Sequence, residues 1–353
     1  MDSKALAGKP PNTAANRHIG QHVDIHTHVV PLPHARWLME QGDRVGVQIS
    51  RDTQGLLRMR TRFNSVILEK RYTDSPLRLE EMDAKGIDIQ LLSLITPLLM
   101  YWLKADIAAE VCRLQNEAIA EMVRSYPTRF AGAATVPLQA PDMAAHELEY
   151  AVTTLGMKAV QIATNVDGRN LDWQALDPFW TEVERNQTLV FIHPGGAVIG
   201  AKRMSRYSLR NLVGLLAEST LAIASLIFGA VLERHPGLKI CIAHGGGFGP
   251  YALGRWEHGY RVRAECRSAI PHSPRTYGRQ LFYDTAIHDQ RLLSYLVEAV
   301  GVQQLLLGSD YPADMSVPDP AANVASLSRL STAERASILG LNAMKLLGIS
   351  SVQ

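Results

Sequence analysis

The sequence predicts one closed (β/α)8 barrel of the TIM type, with a small β-rich insertion after the first strand. Three observations predict it: eight short runs rich in Val, Ile and Leu, a stretch with helical spacing after each run, and a length of 353 residues. A doubly wound sheet with an appended unit would produce a similar alternation. Closure of the sheet is therefore an expectation from the number of strands.

Eight runs are predicted as parallel strands, because near-continuous apolar character is typical of strands that are buried on both faces. They are HVDIH (22–26), IDIQLLSL (87–94), FAGAATV (130–136), KAVQIA (158–163), TLVFIH (188–193), LKICIAH (238–244), LFYDTA (281–286) and QLLLGSD (304–310). Predicted helices alternate with these strands and cover 77–85, 106–125, 141–155, 176–186, 212–234, 250–263, 289–300 and 333–347.

One segment interrupts this alternation. Residues 34–76 contain the sequence QGDRVGVQISRDTQGLLRMRTRF, which predicts a small β meander with turns near Gly42-Asp43 and Gln54-Gly55. We expect this insertion to cap the barrel mouth. The predicted organisation is a flexible leader (1–19), a single barrel domain (20–348) that includes the insertion, and a short tail (349–353).

Composition excludes several classes of protein. Lys and Arg number 36 and Asp and Glu 34, so the net charge of +2 gives no reason to expect a nucleic-acid partner. The longest apolar stretches, such as 221–232, are shorter than a membrane span of roughly 20 residues. Three distant cysteines and a polar, proline-broken start without an apolar segment favour a cytoplasmic protein.

The strongest chemical signal is a set of polar residues at the carboxyl ends of predicted strands. His26 and His28 lie two apart in VDIHTH, and side chains two apart on a strand share a face. His193 ends the fifth strand in FIHPGG, His244 the sixth in IAHGGG, and Asp310 the eighth in LLLGSDYP. We expect Asp24, His26 and His28 to face inward, and Val23, Ile25 and Thr27 to face the helices.

Two adjacent imidazoles can chelate one divalent ion, and active sites of these barrels lie at the carboxyl edge of the strands. Each polar residue taken alone has an ordinary structural interpretation, such as capping a helix or satisfying a backbone group. Their convergence at one edge favours a metal site instead, because buried imidazoles and carboxylates need a partner or an ion to offset desolvation.

The segments VDIHTHVVP, FIHPGG, IAHGGG and LLLGSDYP, in this order, resemble the decarboxylase branch of the metal-dependent amidohydrolase superfamily. Within that branch the resemblance is to the aminocarboxymuconate semialdehyde decarboxylases. It extends through RLEEMDAKGIDIQLLS, SYPTRFAGAATVPLQAP, GMKAVQIATNV, AHGGGFGPYALGRWEHGY and FYDTAIHD, and covers about residues 20–348.

The resemblance implies that four residues bind one divalent ion, Zn²⁺ in the first place and Mn²⁺ in the second, with no organic cofactor. These residues are His26, His28, His193 and Asp310. It implies that His244 is the catalytic residue, which deprotonates a metal-bound water and acts as acid and base. No lysine ends a predicted strand to bridge two metals, and Lys158 begins the fourth strand, so we expect a mononuclear site.

The resemblance also implies a substrate-binding role for Arg255, in ALGRWEHGY. The corresponding arginine of the family reaches into the neighbouring subunit's site, where a guanidinium can hold both oxygens of a carboxylate. The ordinary alternative is an arginine that is solvated or paired with Glu257. The functional interpretation requires a homodimer or a higher homo-oligomer.

Two departures from the family pattern concern the substrate. Family members have Pro-Trp after the fifth-strand histidine, whereas Pro194 is followed by Gly195-Gly196, which we expect to remove an aromatic wall and open space. A second substrate-binding arginine is expected just after a phenylalanine of the insertion, but Asn64 follows Phe63. Arg60 and Arg62 are the nearby candidates. His288 lies after the seventh strand, where it fits the barrel mouth and a helix entry equally well.

These implications predict a metal-dependent non-oxidative decarboxylase that acts on a small unsaturated or aromatic carboxylic acid, such as a carboxymuconate semialdehyde, in aromatic catabolism. The first alternative is a metal-dependent hydrolase or hydratase that uses the same residues on an amide, a lactone or an unsaturated acid. A barrel that binds a ligand without catalysis is the second alternative. Because all five expected polar residues are present, the sequence disfavours it.

Overall fold

The computed structural model describes residues 21–51, 53–63 and 65–350. The predicted leader (1–19) and the last three residues of the predicted tail lie outside the described residues. The division of the chain into a leader, one domain and a tail stays a prediction.

Eight of the described strands form one parallel sheet. All strands in chain order are β1 (Val23–Val29), β2 (Gln48–Arg51), β3 (Leu57–Arg60), β4 (Ser65–Ile67), β5 (Ile89–Leu94), β6 (Phe130–Ala134), β7 (Ala159–Ala163), β8 (Asn165–Val166), β9 (Arg169–Asn170), β10 (Leu189–His193), β11 (Lys239–Ile242), β12 (Phe282–Asp284) and β13 (Leu305–Leu306). The parallel sheet has the order β1-β5-β6-β7-β10-β11-β12-β13, and β8 and β9 form a short antiparallel hairpin.

Backbone hydrogen bonds close the sheet into a barrel. The N–H of Ile25 donates to the carbonyl of Leu307 (2.9 Å), and the N–H of Asp310 donates to the carbonyl of His26 (2.8 Å). The N–H of His28 donates to the carbonyl of Tyr311 (2.7 Å). The predicted (β/α)8 barrel is therefore confirmed, with the seam of the barrel between the first and the last strand.

Helices surround the barrel at the eight predicted places, and three further helices, over Leu32–Gln41, Pro274–Gly278 and Pro320–Ala325, were not predicted. The described helices in chain order are α1 (Leu32–Gln41), α2 (Ser75–Ala84), α3 (Ala105–Ser125), α4 (Pro141–Thr153), α5 (Asp177–Asn186), α6 (Leu216–Phe228), α7 (Val231–Arg234), α8 (Gly249–Val262), α9 (Pro274–Gly278), α10 (Gln290–Val300), α11 (Pro320–Ala325), α12 (Thr332–Ala336) and α13 (Asn342–Leu347). Polar residues start several of them: the Asp289 carboxylate accepts the N–H groups of Arg291 and Leu292, and Ser331 forms a capping box with Glu334.

The insertion contains a helix that the β-meander prediction missed. Residues Leu32–Gln41 form α1, whose buried residues His34, Ala35 and Leu38 have helical spacing. The predicted turn at Gly42-Asp43 is wrong, because these residues begin a 3₁₀ turn (Gly42–Val45) that continues α1. The predicted turn at Gln54-Gly55 is confirmed, since it joins β2 to β3 in the antiparallel sheet β2-β3-β4.

A β-bulge changes which residues of β1 face the barrel interior. The register between β1 and β5 shifts between Asp24 and Thr27. Val23 and Ile25 pack with Phe191 in the interior apolar cluster, whereas Asp24 contacts Ser309. The expectation that Asp24 faces inward, and Val23 and Ile25 outward, is wrong because the bulge interrupts the alternation of side chains.

One helical stretch, Arg210–Phe228, is long and apolar enough to span a membrane by length and composition alone. Its residues Ala222, Ile223, Leu226 and Ile227 are buried in the apolar cluster between the barrel and the helices. The α6 part of the stretch therefore packs in the core, and the absence of a membrane partner stays a prediction.

Candidate metal centre

The structure brings all five predicted polar residues together at the carboxyl edge of the strands. His26 and His28 lie on β1, His193 ends β10, and His244 follows β11. Asp310 lies beyond β13, where its backbone is bonded to His26 across the seam. The four imidazole rings form one group, with the ring centroids of contacting pairs 4.7–5.2 Å apart.

Asp310 lies at the middle of this group. Its Oδ1 atom is 3.2 Å from Nε2 of His26, 3.2 Å from Nε2 of His28 and 4.0 Å from Nε2 of His193. Its other oxygen, Oδ2, is 3.5 Å from Nε2 of His244. Three imidazoles therefore surround one carboxylate oxygen, and the fourth stands beside the other oxygen.

The Nδ1 atom of each of the three imidazoles around Oδ1 already has a partner. His26 Nδ1 contacts Asp284 Oδ2 (2.5 Å), and His28 Nδ1 contacts the Ser93 hydroxyl (3.3 Å). His193 Nδ1 lies 2.7 Å from the Thr96 hydroxyl. These contacts orient the rings so that their Nε2 atoms point to a common region, as metal-ligating histidines are oriented.

This donor set fits a divalent metal ion. The buried Nε2 atom of His193 has no hydrogen-bond partner within the described chain, and the buried Nε2 atom of His26 has the Asp310 carboxylate as its neighbour, 3.2 Å away. One donor atom from each of His26, His193, His244 and Asp310 lies within 4.8 Å of all the others. Buried, unsatisfied nitrogens beside a carboxylate are unfavourable unless an ion binds them.

The charges in the group are strongly coupled. Burial disfavours the charged form of His26, but Asp310 and Asp284 outweigh this effect and raise the pKa of His26 to about 10. Burial lowers the pKa of His28, and burial together with the neighbouring imidazoles holds the pKa of His193 well below its usual value. Burial alone would raise the pKa of Asp310, but His26 and hydrogen bonds from the other imidazoles hold it well below its usual value.

A glycine-rich turn positions His244. The three residues after it, Gly245–Gly247, have φ values of +59°, +77° and +60°, and His244 itself has a φ of +55°. A Cβ atom at Gly247 would lie 2.2 Å from the carbonyl oxygen of Leu216. These glycines therefore stand where the backbone approaches neighbouring residues closely.

A cavity of about 730 Å³ opens above the group. Its floor includes His28, His193, His244 and Asp310. Its walls are mainly apolar and include Ile95, Leu212, Leu216, Phe248, Tyr251, Leu292 and Tyr295. A mostly apolar molecule with a polar end on this floor suits such a lining.

Of the remaining predicted residues, one histidine lines the cavity and the three arginines do not. His288 lines it, whereas Arg60 and Arg62 do not, and Arg62 contacts Asp167 (3.4 Å). Arg255 is exposed on α8, and in the described structure it does not pair with Glu257, whose carboxylate accepts the N–H of Arg275. Within this chain, therefore, no predicted arginine reaches the site.

Gly195 packs tightly against Thr96. A Cβ atom at this position would lie 2.1 Å from Cγ2 of Thr96, whereas a Cβ atom at Gly196 would come no closer than 4.0 Å to Phe63. Gly195 also lines the cavity, so the expectation that Gly195-Gly196 opens space for the substrate stays a prediction. Since Thr96 also holds His193, Gly195 allows this hydrogen bond to form.

Sequence reasoning missed the residues that orient the imidazoles, namely Asp284, Ser93 and Thr96. Asp284 is the last residue of β12, so the search for polar residues at strand ends contained the signal for it. Its Oδ1 also accepts the N–H of Gly245 (2.8 Å), which ties the His244 turn to His26. Ser93 and Thr96 have no comparable signal, because small hydroxyl residues are common at strand ends.

Comparisons with known proteins agree with this architecture. The amidohydrolase family model matches residues 23–349. The chain is 34% identical to 2-amino-3-carboxymuconate-6-semialdehyde decarboxylase of Dictyostelium discoideum over 330 residues, which cover 93% of this chain and 91% of that protein.

Two solved structures share the fold. A 5-carboxyvanillate decarboxylase from Sphingomonas paucimobilis has a TM-score of 0.79 and 22% identity and covers 94% of this chain and 99% of its own. The second structure is a dihydroxybenzoic acid decarboxylase from Polaromonas sp. JS666 with bound manganese and the inhibitor 2-nitroresorcinol. It has a TM-score of 0.77 and 22% identity, and the match covers 94% of this chain and 97% of that chain. Together with the family match, the fold and the site show that this chain belongs to the amidohydrolase family, in which its relatives include decarboxylases.

Proposed function

We propose that the protein is a metal-dependent non-oxidative decarboxylase of a small unsaturated or aromatic carboxylic acid. The observation that carries the proposal is the group of four histidines and Asp310 at the floor of a largely apolar cavity. The decarboxylase names of its relatives support the reaction type.

In this proposal His26, His28, His193 and Asp310 hold the ion. The three imidazoles have their Nδ1 atoms engaged and surround the same carboxylate oxygen, whereas His244 stands beside the other oxygen and has a buried Nδ1 without a partner in the described chain. Three nitrogens and one carboxylate oxygen suit Zn²⁺, and the manganese of the Polaromonas relative makes Mn²⁺ the alternative. An ion bound there supplies Lewis acidity toward a substrate oxygen or a water.

His244 carries the proton in the proposed reaction. The bond between the carboxylate and its neighbouring carbon breaks, and its electron pair stays on that carbon. A proton from His244 forms the new C–H bond as carbon dioxide leaves, and His244 then regains a proton from water. Charge and atoms balance without an oxidant.

We also propose that the active form is a homodimer in which the partner subunit's Arg255 binds a substrate carboxylate. Among the described residues that line the cavity there is no Lys or Arg, while Asp289, Asp310 and Asp314 are acidic. Besides the proposed metal ion, a cationic side chain for a substrate carboxylate would then come from outside these lining residues. Tyr251 on α8 and Leu292 on α10 are 83% and 59% exposed at the cavity mouth, which suits an apolar interface beside Arg255.

The test is carbon dioxide release from a panel of carboxymuconate semialdehydes, hydroxybenzoates and carboxyvanillate, before and after removal of metal by a chelator. We expect stoichiometric carbon dioxide from at least one acid, loss of the reaction after chelation, and its return with Zn²⁺ or Mn²⁺. Ammonia or a ring-opened acid without gas would instead identify the hydrolase or hydratase. Metal analysis of protein purified without added metal decides between the two ions.

We propose a cytoplasmic location from the free thiols of Cys112, Cys241 and Cys266. Cell fractionation with an antibody against the chain tests it, and recovery outside the cytoplasmic fraction would overturn it.

A further inference from the structure

Arg78 is a buried arginine that no step of the proposed reaction uses. It lies on α2 and is only 1% exposed. In the part of the chain that the structure describes, no carboxylate forms a salt bridge with it. Burial lowers the pKa of Arg78 to about 10, so the side chain keeps its charge at neutral pH. Because a buried guanidinium loses several kcal/mol of hydration, its contacts require an explanation.

The guanidinium holds main-chain and side-chain oxygens next to the metal centre. Its Nη2 atom donates to the carbonyl of His28 (2.6 Å) and to the carbonyl of Arg71 (3.1 Å). Its Nη1 atom donates to Oε1 of Gln90 on β5 (2.9 Å). His28 is one of the proposed metal ligands, so the guanidinium of Arg78 binds the main chain of a metal ligand directly.

The same guanidinium also contacts the other side of the barrel seam. Its Cζ atom lies 4.7 Å from the ring centroid of Tyr311, which follows Asp310. The carbonyl of Tyr311 in turn accepts the N–H of His28 (2.7 Å). Arg78, His28 and Tyr311 therefore form a closed set of contacts, which we call the Arg78 clamp.

We infer that the Arg78 clamp sets the position of His28 relative to Asp310 and is a positioning element of the metal centre. The inference rests on the proposed metal site. His28 comes from the first strand and Asp310 from the segment after the last strand, and Arg78 contacts both His28 and the neighbour of Asp310. Displacement of the first strand or of the segment after the last strand would change the 3.2 Å separation between His28 Nε2 and Asp310 Oδ1.

Arginine suits this place better than lysine. Three acceptors and an aromatic ring surround the group, and a planar fork can donate within its plane while its face packs on the ring. A lysine ammonium keeps the charge, but its donors radiate from a single nitrogen and cannot reproduce the planar fork that donates within its plane while its face packs on the ring. Arg78→Lys should therefore change the geometry of the centre without removing the buried charge.

Arg129 supplies a matched control. It also donates to main-chain carbonyls, those of Asp88 (2.8 Å) and Ile87 (3.1 Å), and it contacts Asp83 (2.7 Å). Ile87 and Asp88 directly precede β5 at its amino end, opposite the metal centre, and Asp83 lies near the end of α2. Arg129→Lys therefore removes a similar set of contacts without touching a proposed ligand.

The experiment compares both variants with the wild type in three measurements: the Zn²⁺ dissociation constant by competition with a chelator, the visible spectrum of the Co²⁺-substituted protein, and thermal unfolding. For Arg78→Lys we expect the dissociation constant to rise about tenfold or more, with a changed Co²⁺ spectrum. For Arg129→Lys we expect both metal readouts to stay as in the wild type, even if the unfolding temperature falls.

An unchanged dissociation constant and Co²⁺ spectrum in Arg78→Lys would overturn the inference, whatever happens to thermal stability. If the wild type itself binds no ion, the proposed function fails as well, which is a separate result. Should Arg78→Lys not fold, Tyr311→Leu removes the ring from the clamp instead. Weaker Zn²⁺ binding in Tyr311→Leu supports the clamp, and wild-type binding overturns it.

Discussion

The Nδ1 atom of His26 lies 2.5 Å from Oδ2 of Asp284, and both side chains are completely buried. The two residues come from β1 and β12, and the carboxylate fixes which nitrogen of His26 faces the centre. Because the other oxygen of Asp284 holds the Gly245 N–H, one carboxylate orients both the His26 ring and the turn of His244.

Asp284→Asn should weaken metal binding. The amide keeps the shape of the side chain but removes the negative charge that makes His26 a better electron-pair donor to the metal. We therefore expect the metal dissociation constant to rise about 10–100-fold. Asp88→Asn is the control, since Asp88 accepts the N–H of His22 at the opposite end of the barrel. Equal metal affinity in the two variants would contradict the role of Asp284.

His244→Asn should separate catalysis from metal binding. We expect kcat to fall by about 10²–10⁴ because the proton donor is lost, while metal content per chain stays at the wild-type level. The exposed His146 on α4 provides His146→Asn as a control that keeps kcat. Loss of the metal together with activity would show that His244 is a ligand instead.

Gly195→Ala should disturb His193 through Thr96. The new methyl group would overlap Cγ2 of Thr96, whose hydroxyl lies 2.7 Å from His193 Nδ1. We expect a loss of about 1–3 kcal/mol in the free energy of unfolding and weaker metal binding. Thr96→Ser removes the overlapping Cγ2 but keeps the hydroxyl, so the double variant should recover part of both losses. If the double variant were as unstable and bound metal as weakly as Gly195→Ala, an effect through Thr96 would be excluded.

Mixing two inactive variants tests the role of the partner subunit's Arg255. In a heterodimer of Arg255→Ala and His244→Ala chains, one site has an intact His244 and an intact arginine from the other chain, and the second site has neither. After random exchange in an equal mixture, about half of the dimers are heterodimers with one of their two sites active. The mixture should therefore recover about a quarter of wild-type activity. Activity that stays at the level of the separate variants would rule out binding in trans, and gel filtration checks that dimers form.

His34 should make the fold less stable in acid. Burial lowers the pKa of His34 to about 3, so between roughly pH 6.5 and pH 3 the unfolded chain binds a proton that the folded protein does not. Stability is therefore lost as the pH falls through this range, by about 2 kcal/mol at pH 5. His34→Gln keeps an acceptor for Gln115 and should reduce the loss in urea unfolding between pH 7 and pH 5. The same pH dependence in wild type and variant would contradict this assignment.

The sequence was sufficient to predict the barrel and the five polar residues of the site, because parallel strands align at one edge and polar residues stand out at the ends of apolar runs. It was not sufficient for the side-chain directions of β1. The bulge between Asp24 and Thr27 depends on pairing with β5, which no residue of VDIHTHV encodes.

Arg78 and Thr96 escaped prediction for a related reason. An arginine on a helix is normally a surface residue, and only the packing of α2 against the seam makes Arg78 a buried donor. Thr96 acquires its role from two distant neighbours, His193 and Gly195. Such roles arise from contacts between segments that are far apart in sequence.

The seam between the first and last strands has a consequence for the order of events during synthesis. His26 and His28 leave the ribosome long before Asp310 and the backbone that closes the barrel on His26. A nascent chain must therefore protect its first strand until the last one docks. Tight binding of an ion then reports that the whole barrel has folded.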